Sequence, residues 1–302
     1  MTAATLTKRN QIKRPLSERI FSVVNALLLL LICFVCLYPV WYVAMASLSD
    51  SGLLTQHQGL LFLPLGFTFN AYTKVFKNPM IVRGYLNTLF ILGVGVFVDI
   101  VMTSLGAYFL SRKQVLFKKP IMMMIIFTMF FSGGMIPFYL NLRDLHLTDS
   151  LQGLIIPFMI NTYNLVIMRT SFESIPDSLV EAAQIDGASH VRILFSIILP
   201  LSKAIIAVMV LYYGVSIWNS WFWAAAIIRT RELLPLQVIL REILLSNDVT
   251  SMNAGASASD AESIAMSIKY ATIMIATIPI LCVYPFLQKY FTKGALVGAV
   301  KE

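Results

Sequence analysis

The sequence predicts an all-α integral membrane protein built on six membrane-spanning helices, and three observations carry that prediction. Of 302 residues, 58% are hydrophobic and 13% charged, with a mean hydropathy of +0.78. Soluble domains hold about 45–50% apolar and ~25% charged residues, so this chain is suited to lipid and not to water. Six apolar runs, each of roughly the ~20 residues that cross a bilayer, occur at 20–48, 87–110, 121–141, 151–172, 201–228 and 270–291. Basic residues then gather in alternate connections. With the N-terminus inside, fifteen of the 23 Lys and Arg residues face the cytoplasm, which places both termini there.

Residues 1–19 form an N-terminal segment carrying Lys8, Arg9, Lys13, Arg14 and Arg19. The apolar run behind them is longer than the ~7–15 residues of a signal-peptide core. It also places bulky Trp41 and Tyr42 beside the cleavage-like Ala44-Met45-Ala46, so it reads as a retained first span. In the second span, Asp99 lies near the middle, where a charge costs ~2.5–3.5 kcal/mol and must face protein or water. Two roles fit it: lining a substrate path, or partnering a polar group such as Asn87, Thr103 or Asn161. Gly93 with Gly95, and Gly106 with Ala107, allow close helix packing in the same span.

Gly133-Gly134 followed by Pro137 interrupts the third span, a site for a hinge whose freed backbone groups must be satisfied inside the protein. The fourth span carries a polar-aromatic group, Asn161, Tyr163 and Asn164. The fifth carries Trp218-Asn219-Ser220-Trp221-Phe222-Trp223 in its outer half. That cluster is either an interfacial aromatic belt or, for Trp218 and Asn219, a pore wall. A pyranose ring offers an apolar C–H face for an indole and hydroxyls for an amide.

The outer connections at 49–86 and 229–269 contain apolar pieces, Leu60 to Phe69 and Leu233 to Leu245, which either pack on the span ends or shape the outer mouth. From Asn247 to Ser263 the composition is that of a flexible loop. Cys33, Cys36 and Cys282 all lie in apolar runs, where no disulfide framework is expected. His57, His146 and His190 are scattered over separate loops, so no metal site is predicted. A phosphate-binding G-x-x-x-x-G-K-S/T loop and a nucleophile constellation are both missing, which argues against an enzyme and against ATP binding by this chain.

Between the fourth and fifth spans lies a polar-bounded elbow. Ser174 and Asp177 have the spacing of a capping box and Pro176 suits a first turn, which predicts a helix from near Ile175 to Asp186. Gly187 ends it, and Val191, Leu194, Phe195 and Ile198 then recur on one face of a second short helix. Written out, the elbow is Glu181-Ala182-Ala183, three residues, Gly187, nine residues, then Ile197-Ile198-Leu199-Pro200. This spelling resembles the signature loop of ABC importer permease subunits.

Further segments are similar to permeases of the carbohydrate-uptake type, in particular those of the oligosaccharide and polysaccharide-fragment branch. They are Phe67 to Tyr72, Asn87-Thr88, Ala107 to Arg112, Phe131 to Pro137, Pro235-Leu236-Gln237 and Lys293 to Lys301. Glu302 departs from the expected final glycine. The resemblance implies a type I importer permease fold, a six-helix domain over 20–293 with a cytoplasmic coupling helix in the loop 173–200 and a cytoplasmic tail at 294–302. It assigns ATPase coupling to Glu181, Ala182, Ala183, Asp186 and Gly187.

The same resemblance implies residence in the bacterial cell membrane and a set of partners: two cytoplasmic ATPase subunits holding the ATP and Mg, a homologous second permease forming a heterodimer, an extracytoplasmic solute-binding protein and a carbohydrate substrate. Nucleic acid is not among them. An ion-coupled secondary transporter is the competing class, and it would show more intramembrane charges than Asp99 alone.

Overall fold

The computed structural model describes residues 16–245 and 258–299, with side chains at 16–245 and 265–285, and every regular element among these is helical. Helix α1 covers Leu16–Ser47, α4 covers Pro79–Ser111 and α14 covers Ala258–Ala299. These three alone hold stretches long and apolar enough to cross a membrane; three bent pairs of shorter helices bring the total up to six.

The first pair joins α5 (Lys118–Phe130) to α6 (Met135–Asp144) at 114°. The second runs from 3-10 turns at 151–158 into α7 (Thr162–Glu173), bent by 48°. In the third, the chain from His190 to Leu201 meets α11 (Lys203–Asn219) at 88°. Short helices α2 (Ser51–Gln56) and α3 (Asn70–Lys77) fill the first outer connection, α8 (Asp177–Ile185), α9 (His190–Ile193) and α10 (Leu199–Leu201) make the elbow, and α12 (Phe222–Ile227) and α13 (Leu236–Leu245) follow α11.

The packing is organised around α4. Asn78 caps its first turn through Met80 N–H and Pro79 occupies the first helical position, where its missing N–H costs nothing. Helices α7, α11 and α13 pack on it, and glycines set the approach. A Cβ at Gly84 would lie 2.5 Å from Ile239 Cδ1 of α13, one at Gly95 3.0 Å from Ile217 Cδ1 of α11, and one at Gly106 3.1 Å from Leu165 Cδ1 of α7. Gly93, by contrast, has open space around it and takes no part in this packing.

Two larger apolar clusters result, beside a small one of Ala46, Leu54 and Leu61 at the end of α1. One unites Ile81, Trp218, Leu236, Ile239 and Ile268; the other unites Ala107, Tyr108, Met168, Phe172, Leu194, Ile198 and Met209. Helix α1 stands apart, its apolar side chains exposed from Leu16 to Val40, and packs mainly against α14.

The interruption expected at Gly133-Gly134 in the third run is present: Phe131 to Gly134 leave the helix, Gly134 adopts φ +86°, and the chain turns by 114°. Other expectations are corrected. In the fifth run the helix stops at Asn219 and restarts at Phe222. The final helix begins at Ala258, inside the stretch read as a loop from Asn247 to Ser263; the part before Ala258 lies outside the described residues, as do most of the N-terminal segment and Glu302. The outer piece ending at Leu245 packs its Leu236, Val238, Ile239 and Leu240 into the first cluster.

Candidate functional site

Two features stand out, the elbow and a cavity between the two apolar clusters. In the elbow, α8 buries Val180 and Ala183 against the second cluster while Glu181, Ala182 and Ile185 face outward. Small side chains at Ala182 and Ala183 keep the helix narrow. Its end is a Schellman turn: Gly187 N–H bonds to Gln184 O at 3.0 Å and Ala188 N–H to Ala183 O at 2.9 Å, with Gly187 at φ +77°. Asp186 sits at the C-cap, exposed.

The capping box expected at the other end is not formed. Ser174 Oγ donates instead to Ser171 O, closing α7, and Pro176 precedes α8 without a side-chain cap. Asp177 turns to the basic end of α4, with Lys113 Nζ 2.7 Å from its Oδ2 and Arg112 Nη1 3.8 Å from its Oδ1. The Lys113 hydrogen bond holds the Asp177 carboxyl below its ordinary range and the ammonium above its own.

The second limb also differs from the expected face. Leu194 and Ile198 are buried, but Val191 and Phe195 are exposed and Ile193 takes their place inside. Phe195 lies in a π-helical stretch over Leu194–Ile198, which widens that turn.

The Ala107-to-Arg112 segment fastens this elbow to the bundle. Arg112 donates from Nη2 to Phe172 O at 3.1 Å and from Nε to Ser111 Oγ at 3.0 Å, and lies 5.2 Å from the Tyr108 ring centre. Tyr108 Oη and His190 Nδ1 are 3.1 Å apart, reaching the second limb. Arg169 donates to Leu110 O and Glu173, and Lys118 also donates to Glu173. Burial raises the Glu173 carboxyl, but these two hydrogen bonds outweigh it and hold the group ionised below its usual range. Four helices are thus tied at one corner.

The cavity, of about 890 Å³, is lined by Asp99, Asn161, Tyr163, Asn164 and Trp218 among the predicted residues. Trp218 is buried and donates from Nε1 to Ala276 O. Asn219 is not in the wall: it is exposed and its amide folds back on Val215 O. None of the structural partners expected for Asp99 is engaged with it. Asn87 donates to Glu232 O and Leu234 O, Thr103 pairs with Tyr213 Oη at 2.6 Å, and Asn161 caps α7 through Asn164 N–H. Asp99 is 3% exposed, and no protein donor reaches its carboxylate among the described residues.

Sequence reasoning missed Tyr213, which bridges Thr103 and Asn161 N–H across the cavity wall. It also missed Asp149, whose carboxylate accepts from Arg229 N–H, Thr230 N–H and Thr230 Oγ. Both pairings join residues more than fifty positions apart, and local spacing carries no such signal. Among the described residues, no three His, Cys, Asp or Glu side chains come together as a metal would require.

Comparison with known proteins places this geometry. Residues 1–297 match the family described as binding-protein-dependent transport system inner membrane component. The chain is 38% identical to the polygalacturonan/rhamnogalacturonan transport system permease protein YtcP of Bacillus subtilis, over 95% of this chain and 100% of that one. It is 40% identical to Protein LplC of the same organism, over 94% and 95%. A crystal structure of a bacterial ABC transporter involved in the import of the acidic polysaccharide alginate has a chain that superposes with a TM-score of 0.87 at 38% identity, covering 93% of this chain and all of that one. A match across nearly the full length, with a helical fold common to both, makes this chain a member of the family of inner membrane components of binding-protein-dependent transport systems.

Proposed function

We propose that this chain is one permease half of an ATP-driven carbohydrate importer, with the elbow as its handle for a cytoplasmic ATPase and the 890 Å³ cavity as part of its path. The names of its relatives, permeases for polygalacturonan/rhamnogalacturonan and an importer of alginate, support an oligosaccharide or polysaccharide fragment as cargo. Six spans, taking each bent pair as one crossing, leave both termini and the elbow in the cytoplasm, consistent with the distribution of Lys and Arg. The assembly would comprise two ATPases binding ATP and Mg, a second permease and an external binding protein. ATP-driven closure of the ATPases would move the two elbows together and tip the dimer between inward-open and outward-open states.

One observation carries this reading. The elbow is fastened to the end of α4 by Tyr108 at His190 and by Lys113 and Arg112 at Asp177, and it packs Val180 and Ala183 on the second cluster, yet its outer face is uncovered, with Ile185 87% exposed beside Glu181 and Ala182. A surface rigidly joined to the bundle and left apolar at its tip is suited to receiving force from a partner.

Ile185→Glu tests it. Placing a charge at the centre of such a contact is expected to weaken ATPase association by ~2 kcal/mol or more, about thirtyfold. The permease should still insert and co-purify with its sibling. Undiminished co-purification of the ATPase would remove the elbow from the coupling role.

A further inference from the structure

Two of the proteins named above are described as transporting polygalacturonan/rhamnogalacturonan and the acidic polysaccharide alginate, but the wall of this chain's cavity lacks the means to hold an acid. Among the described residues, that wall contains the carboxyl of Asp99 and no Lys, Arg or His. Arg112 lies thirteen residues further along α4, about 20 Å away at 1.5 Å per residue, and is occupied with Phe172 and Ser111. Four arginines of the outer connections are engaged as well: Arg229 with Tyr139, Arg231 with Glu242, Arg83 with Glu232 O, and Arg241 over the Trp221 ring at 3.8 Å. A uronate would bring one carboxylate per ring into this space without a counter-charge, and burying an unpaired charge is strongly unfavourable.

The same wall suits an uncharged pyranose. Trp218 and Trp223 offer rings to a C–H face, Tyr163 and Tyr213 offer phenols, and Asn161 lies beside them. Asp99, 3% exposed with no protein donor, has its acceptor capacity unused. A carboxyl group left in this condition takes its hydrogen bonds from whatever fills the cavity, and adjacent sugar hydroxyls are matched partners for it.

Resting on the reading of the chain as a carbohydrate permease, we infer that this half of the path binds a neutral saccharide segment, with Asp99 accepting from its hydroxyls, and disfavours uronates. Asp99 then determines specificity within the permease itself.

The test uses the full permease–ATPase complex in nanodiscs without binding protein, titrated with α-1,4-linked galactotetraose or tetragalacturonate, which differ in the oxidation of C6. Tryptophan fluorescence reads binding, and Trp218→Phe identifies the part of the signal that comes from the cavity. Galactotetraose should bind at least tenfold more tightly. Asp99→Asn should weaken it about tenfold, and Ser216→Lys, which adds a cation to the wall, should reverse the preference.

Equal or tighter binding of tetragalacturonate to the unaltered complex overturns the inference, whatever the variants do, and so does an Asp99→Asn complex that binds both saccharides as before. No fluorescence response to either saccharide also overturns it. If binding-protein-stimulated ATP hydrolysis persists in that case, the permease reading stands; if it is absent too, both fall.

Discussion

Gly187 allows the coupling role of the elbow to be tested through a single backbone angle. It sits at φ +77° in the Schellman turn that ends α8, and a Cβ built on it meets nothing within 4 Å. Substitution there therefore acts through the backbone and not through crowding. Alanine in the left-handed region costs ~1–2 kcal/mol, a β-branched residue up to ~3 kcal/mol, and asparagine much less because its side chain tolerates that region. Since 1.4 kcal/mol is a tenfold change in an equilibrium, Gly187→Ala should lower the share of intact turns severalfold against its unwound alternatives. Gly187→Val should lower it by a hundredfold or more.

If the two hydrogen bonds to Gln184 O and Ala183 O transmit the motion of the ATPase, stimulation should follow the same order. The assay is ATP hydrolysis stimulated by the loaded binding protein in proteoliposomes, normalised to the amount of assembled complex. Gly187→Asn is expected near the unaltered level, Gly187→Ala clearly reduced and Gly187→Val abolished, with membrane insertion equal in all three. A Val variant that couples normally would refute the reasoning. An Asn variant as damaged as Val would refute it differently, by showing that the space beside Gly187 matters and its backbone angle does not.

Two further outcomes follow from the outer side. Gly153→Ala would drive its Cβ into Leu147 O and to 3.2 Å from Ile227 Cδ1, so a loss of ~1–3 kcal/mol is expected, read as a lower melting temperature in detergent. Gly93→Ala, in open space, serves as the control and should be neutral. Asp149, its carboxyl held below the ordinary range chiefly by Thr230 and then by Arg229, contributes stability that is present above its unfolded pKa of about 3.9 and is lost as pH falls through the lower folded value. Amide exchange at 228–231, corrected for intrinsic rates, should therefore accelerate only below about pH 4, and Asp149→Asn should remove that dependence.

The elements that could be read from the sequence are those whose cause is local. Gly187 ends α8 because a reversal needs a positive φ, and Pro79 opens α4 because a first turn tolerates a missing N–H. Apolar length alone marks α1, α4 and α14. Elements decided by distant partners could not be read this way. Ser174 and Asp177 have capping spacing, but Lys113 and Arg112 compete for the carboxylate and Ser171 O takes the hydroxyl.

Apolar length alone does not mark the 114° bend in the third run, but Gly133-Gly134 does, and Gly134 takes φ +86° there. At the cavity, the residue types at Asp99, Asn161, Tyr163, Asn164 and Trp218 suggested a polar path and the fold brings them to one wall. Asn219 turns away because Val215 O, one helical turn behind it, is an available acceptor.

Helix α4 connects these features mechanically. Its 33 residues extend about 50 Å at 1.5 Å each. Near its start, Asn87 and Thr88 hold the outer segment through Glu232 O, Leu234 O and Leu236 N–H. In its middle, Asp99 enters the cavity, and at its end, Tyr108 holds His190 and Lys113 and Arg112 hold Asp177 of the elbow. The helix carries no internal proline, and α7, α11 and α13 are drawn close by Gly106, Gly95 and Gly84, so it has no place to yield along its length.

The breaks lie elsewhere, at Gly134, before α7, at Ser202 and at Ser220. If the proposed coupling holds, α4 is the element that would pass a displacement of the elbow to the cavity and to the segment at 232–236, and the broken helices are where the angle would change. Proline placed at Ile100, in the middle of α4, would separate the two ends, and the outer segment would then no longer follow the elbow.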